Sequence, residues 1–204
     1  MSIVFRRDSQ GNEHRIWAQR QLSSCAIACI WMARSLAAQM SFQEGEWELA
    51  WRTYRHAVQG LPYGNSSSAG APTGPMSIDP RAHDSDQKTF YNMFANFGTF
   101  AGQVAKTMRG EGFTVNHMTN NGNSRTLNLS RIANDKPAIV LVGWYPTNAQ
   151  GQRVRRGGHF VVATGVIGTN IVYLDPWRGV LNEFPNNSRY SATGLIEQVL
   201  YISR

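Results

Sequence analysis

The sequence predicts an α+β fold in a single domain spanning residues 1–204, with a helical lobe over about 15–135 and an antiparallel β-sheet or half-barrel over about 136–204. Three observations lead there. Before Pro137 apolar residues recur at the three-and-four spacing of helices, and after it come five β-type runs separated by turn formers. The composition agrees, because 42% hydrophobic and 11% aromatic residues fill one core of ordinary size. Nineteen glycines, eight prolines and only 16% charged residues suit a chain with many turns and exclude a helical bundle or a disordered polymer.

Leu22 to Gln39 carries Leu22, Ala26, Cys29, Ile30, Ala33, Leu36 and Ala37 on one stripe, which predicts a helix with a buried face. Ser23 or Ser24 can cap its first turn, setting Cys25 at the helix N-terminus. A second helix is expected from Ser41 to Ala57, with Trp47, Leu49, Trp51 and Tyr54 as its large apolar groups. Gly60 to Pro80, rich in Gly, Ser and Pro, reads as a long mobile loop, either a flap over a site or a surface insertion. Helical spacing returns over Asp86–Phe97 and Thr99–Arg109, closed by Gly110 and Gly112, and a short helix is expected over Leu127–Asn134. The five strands that follow are Ala138–Tyr145, His159–Val166, Asn170–Asp175, Val180–Phe184 and Glu197–Ser203. No internal repeat is visible.

Several classes are set aside by composition. The first residues lack the charged-then-apolar pattern of a secretory signal, and no uncharged apolar stretch reaches the roughly 18 residues of a membrane span. A soluble protein is expected. Cys25 and Cys29 are the only cysteines, one helical turn apart, an arrangement that favours neither a disulfide nor a zinc site. No metal or cofactor is expected. The charge of +7 and a pI near 9.8 permit acidic partners, but the basic residues are scattered, with Arg153, Arg155 and Arg156 the densest group, and no nucleic-acid motif accompanies them.

The candidate chemistry centres on Cys25. A helix N-terminus lowers a thiol's pKa through its free amide groups and dipole, whereas Cys29, deeper on the apolar side, reads as core packing. A thiolate nucleophile needs an imidazole to accept its proton and later protonate the leaving group. Of the five histidines, His14, His56, His83 and His117 lie in polar or loop-like segments and read as surface residues. His159 follows Gly157 and Gly158 and opens an apolar strand. Asp175 ends the next strand, before Pro176 and Trp177, and a hairpin turning around Ile167 and Gly168 sets residue 159 opposite 175–176. In that geometry the carboxylate fixes the histidine tautomer, and Trp177 is expected to shield the hydrogen bond from water. Oxyanion donors would be the Cys25 amide and a side-chain amide from Gln19 or Gln21.

The ordered set Gln19-x-x-x-x-x-Cys25, Gly158-His159-Phe-Val-Val-Ala-Thr-Gly and Val172-Tyr-Leu-Asp175-Pro-Trp177 resembles the papain-like cysteine peptidase superfamily. It is most similar to the bacterial branches, the bacteriocin-leader peptidases and the effector proteases with a Cys, His, Asp triad. The resemblance implies a papain-like fold, with Cys25 as nucleophile, His159 as base, Asp175 as orienting residue and Gln19, by its six-residue offset, as the oxyanion glutamine. Ala26 and Ile27 stand where many relatives carry Gly or Trp, and Gly60 to Pro80 has no assigned counterpart.

The resemblance further implies a thiol protease acting on protein substrates. By analogy with compact basic domains of this kind, it implies a bacterial effector or toxin, made in the cytoplasm, delivered by a secretion system and blocked by a cognate immunity protein. A housekeeping or leader-processing peptidase, a transglutaminase-like enzyme or deamidase with the same triad, and a peptidoglycan amidase are the alternatives. A binding module with a buried Cys25 is the non-enzyme reading, which thiol reactivity distinguishes.

Overall fold

The computed structural model describes residues 2–20, 24–46, 48–50, 52–53, 99–119 and 126–204. Two elements frame the candidate site. Helix α1, Cys25–Ala38, starts after Ser24 and ends at Gln39, whose left-handed backbone (φ 53°) returns N–H groups to Leu36 and Ser35 carbonyls. Strands β1 (Ser2–Arg7) and β2 (Glu13–Ala18) form an antiparallel hairpin that covers the helix, with Trp17 packed edge-on to Trp31 at 4.8 Å. With the hairpin on one side and the main sheet on another, α1 is buried on nearly every face, Cys25 to Arg34 without interruption, rather than along a stripe.

The main sheet is six-stranded and antiparallel. Its strands are β3 (Thr114–Thr119), β4 (Ala138–Trp144), β5 (Gly158–Ile167), β6 (Asn170–Asp175), β7 (Val180–Pro185) and β8 (Gly194–Ser203), ordered β3-β8-β4-β5-β6-β7. Strand alternation divides the core. Phe160, Val162 and Leu174 face α1, whereas Val161, Ala163 and Tyr173 join a second apolar cluster. Helix α2, Ala101–Gly110, packs Val104 and Met108 into the α1 side.

All five strands expected after Pro137 are present, and α1 and α2 lie where the helical spacing placed them. The segregation into a helical half and a stranded half is incomplete, because β1, β2 and β3 all precede residue 135 and β3 joins the main sheet. The helix expected over Leu127–Asn134 is a single 3₁₀ turn at Leu129–Arg131. Helical residues occur at 46, 48–50 and 52–53, within the expected second helix. The loop over 60–80, the helix over 86–97, and Trp47, Trp51, Tyr54, His56 and His83 lie outside the described residues.

Two polar devices lock this frame. Arg34 on α1 is ion-paired with Glu44 and with Glu111 at 2.9 Å, and Arg52 bridges the same two carboxylates. Arg34 is almost fully buried, so its charge is supportable only with these partners. At the other end, Ser9 donates its backbone N–H and hydroxyl to Glu183 at 2.6 and 2.7 Å, fastening the β1–β2 hairpin to β7. Gly179 completes that seam: its φ of +64° excludes most side chains, and a Cβ there would come within 2.8 Å of Val4.

Gly179→Ala is expected to destabilise the protein by about 2–4 kcal/mol, adding a steric clash to the positive-φ penalty. Gly168→Ala, at φ +60° with open space around it, should lose only about 1 kcal/mol. Urea unfolding with an unchanged slope measures both, and equal losses would show that the hairpin does not press on Gly179.

Candidate active site

The chemistry-bearing residues meet at one end of the main sheet, where β4 and β6 end and β5 begins. Cys25 is the first residue of α1 and is 8% exposed. Ser24 occupies the N-cap position, but its side chain makes no cap hydrogen bond to the helix, contrary to the capping expected of it. The helix has no acidic residue in its first turn. Its positive end is therefore not offset by an acidic side chain of its own first turn.

His159 is the second residue of β5 and is buried, with Nε2 2.7 Å from Asp175 Oδ1. The hairpin that brings them together differs by one residue from the expected turn. Ile167 pairs with Asn170, so the turn is Gly168–Thr169, and the register then shifts between Ala163 and Gly165. The bulged Thr164 is buried and hydrogen-bonded to Asn134 at 3.1 Å. Beyond the bulge Val162 faces Leu174, a register that continues to set Val161 opposite Asp175 and leaves His159 its diagonal neighbour on the same side of the strand. A diagonal pair is within reach of an imidazole and a carboxylate, so the contact survives the shifted turn.

Asp175 is saturated with donors. Oδ1 accepts from His159 and from the Trp177 backbone N–H at 2.7 Å, and Oδ2 accepts from the Tyr190 hydroxyl at 2.6 Å. The Trp177 bond is an Asx turn, so one carboxylate both ends β6 and holds the histidine. Asn182 Nδ2 in turn donates to the Tyr190 hydroxyl at 2.8 Å. Burial and the adjacent Asp175 charge raise the Tyr190 hydroxyl far above its ordinary value, keeping it a neutral donor.

Burial alone would lower the His159 pKa, but hydrogen bonds to Asp175 and to Cys25, and the charges of both, raise it from 6.5 to about 9. The imidazole is thus held between the two groups: Nε2 is occupied by Asp175, and the remaining ring nitrogen is the one left for the thiol. Trp144 stacks on the imidazole, ring centroids 6.2 Å apart and planes 20° apart. Cys29 is fully buried; burial first, then Cys25 and Asp175, hold its thiol well above the ordinary value.

Gln19 reaches this end of the sheet through its backbone, whose N–H donates to the Pro176 carbonyl at 2.9 Å; Gln21 lies outside the described residues. Trp177 supports Asp175 through its backbone, while its side chain is 42% exposed. A second ring, that of Trp144, stacks on the imidazole. His14 is buried rather than on the surface, bonded to Asp8 at 3.0 Å inside the β1–β2 hairpin, and His117 bonds Gln198. Sequence reasoning missed Tyr190 and Trp144. Tyr190 sits in an aperiodic connection with no local signal, whereas Trp144 was findable from β4–β5 register, two residues beyond the Val142 that faces His159.

No family model and no curated protein matches the chain. Among solved structures, the peptidase domain of Streptococcus ComA, a bi-functional ABC transporter involved in a quorum sensing pathway, is similar with a TM-score of 0.48 at 11% identity, covering 92% of this chain and 96% of that one. No helix among the described residues is long and apolar enough to cross a membrane.

The raised His159 value predicts a pH signature. A histidine whose folded pKa exceeds its unfolded one contributes its full stability below about 6.5 and loses it as pH rises through about 9. Urea midpoints should therefore fall between pH 6.5 and 9, and Asp175→Asn should move that fall to lower pH. Imidazole NMR checks it directly, and a wild-type His159 titrating at or below 6.5 would refute the hydrogen-bonded geometry.

Proposed function

We propose that the protein is a papain-like cysteine peptidase that hydrolyses peptide bonds through an acyl-thioester on Cys25. The observation that carries this reading is the buried sequence of contacts Cys25, His159, Asp175 at the N-terminus of α1. A thiol beside a raised imidazole exchanges its proton readily, so the reactive state is a thiolate with an imidazolium beside it. The sulfur attacks the peptide carbonyl and its electrons move to the oxygen. The Cys25 backbone N–H, one of the first-turn amides without an intrahelical partner, stabilises that oxyanion together with the Gln19 side-chain amide.

His159 then donates its proton to the departing amine, which breaks the C–N bond and leaves the thioester. Water, deprotonated by the now neutral His159, attacks that thioester and releases the acid and the thiolate. Asp175 keeps Nε2 protonated throughout and the other ring nitrogen directed to sulfur, while Tyr190 and the Trp177 N–H hold the carboxylate in place. The effector role, delivery into a recipient cell and inhibition by an immunity protein extend this reading, supported by the resemblance alone.

Incubating a proteome extract with the protein should generate new N-termini that are absent with Cys25→Ala or His159→Ala, and persistence of cleavage in Cys25→Ala would sink the assignment. An added mass of about one dalton on uncut substrate would mark a deamidase instead. Iodoacetamide at pH 6 should alkylate Cys25 and spare Cys29, because only the first has an imidazole partner. Asp175→Asn is expected to lower the turnover number by up to about 10⁴-fold while leaving the fold intact by circular dichroism.

A further inference from the structure

Two connections lie at this end of the sheet, residues 145–157 between β4 and β5 and 176–179 between β6 and β7, and a third, 186–193 between β7 and β8, arrives there from the opposite end. They contain Arg153, Arg155, Arg156, Arg178 and Arg189 and not one Asp or Glu. All five arginines are exposed. Three of them are tied to the site through their neighbours. The Arg156 N–H donates to the carbonyl of Trp144, whose ring stacks on His159. Arg178 lies three residues after Asp175 in a turn with φ 59°, and Arg189 directly precedes Tyr190.

One of these arginines is already committed to a carboxylate. Glu197 on β8 holds Arg155 with two bonds, at 2.6 and 2.8 Å, and accepts from the Tyr145 hydroxyl. Arg153, Arg156, Arg178 and Arg189 have no carboxylate partner among the described residues. Arg153 and Arg189 even converge on one acceptor, the Ala192 carbonyl, at 3.4 and 3.5 Å. Two guanidinium groups gathered on a single neutral oxygen repel each other, and an arriving carboxylate would relieve that repulsion while pairing bidentately.

We propose that this arginine rim selects acidic polypeptide segments, so that the bond cleaved at Cys25 is flanked by Asp or Glu. The proposal rests on the peptidase reading. A polypeptide is favoured over a polynucleotide because the chemistry at the centre needs an acyl carbon, which a nucleic acid backbone does not offer. Four exposed arginines without carboxylate partners also raise the local concentration of anionic segments, an effect that salt screens.

Two measurements test this. In the proteome map, Asp and Glu should be enriched within several residues of the cleaved bonds, and Arg156→Glu/Arg178→Glu should abolish that enrichment; flanks with no acidic preference would overturn the proposal. The second needs no substrate and compares alkylation of Cys25 by anionic iodoacetate and neutral iodoacetamide. Their rate ratio should fall about 3- to 10-fold in the double variant and in 0.5 M salt, with the iodoacetamide rate unchanged. An unaltered ratio would overturn the proposal, as would protection of Cys25 by a single-stranded oligonucleotide but not by poly-glutamate. If no Cys25-dependent cleavage occurs, the peptidase reading falls, while the alkylation ratio still judges the rim.

Discussion

The structure turns on keeping one buried carboxylate fully satisfied. Asp175 cannot stay charged in this setting without donors, and it obtains them from three separate segments: the imidazole at the start of β5, the backbone just past β6 and the hydroxyl of Tyr190. Each donor fixes a different piece of chain. The turn 176–179 seats the β1–β2 hairpin through Gly179 and the Pro176 carbonyl, and that hairpin buries α1, whose first residue is Cys25. Assembly of the site and closure of the core are thus one event.

Rigidity at the far end of α1 comes from charge. The Arg34, Glu44, Arg52 and Glu111 network joins the helix to its neighbours beside the apolar contacts of Ala33 and Ala37. At the near end the helix leaves its dipole uncapped by Ser24 and free of first-turn acids. The two ends therefore differ: one is tied down by ion pairs, and the other opens on Cys25 with no acid in its first turn.

Much of this was legible in the sequence, for identifiable reasons. The strands after Pro137 and helices α1 and α2 carry strong periodicity, and Cys25, His159 and Asp175 sit at element ends where side-chain direction follows from the period. The hairpin pairing was approachable although the turn is displaced, because the bulge at Thr164 returned part of the shift. Strands β1, β2 and β3 were hidden: Ser2–Arg7 is mostly exposed, and Thr114–Thr119 pairs with Gln198–Ser203, far along the chain. Helix α1 looked amphipathic because the hairpin that covers its second side was not visible. Tyr190 reaches Asp175 from a connection with no repeating pattern, a long-range choice that local spacing does not encode.

The strand order has a temporal meaning. Strand β8 lies between β3 and β4, so the position that joins β3 to the rest of the sheet is filled by residues 194–203, made after the other five strands of the sheet. Until they emerge from the ribosome, β3 and β4 have no common neighbour and the apolar faces beneath them stay open. Closure of the sheet around β3 and β4 therefore waits on residues 194–203 and comes as one step instead of strand by strand.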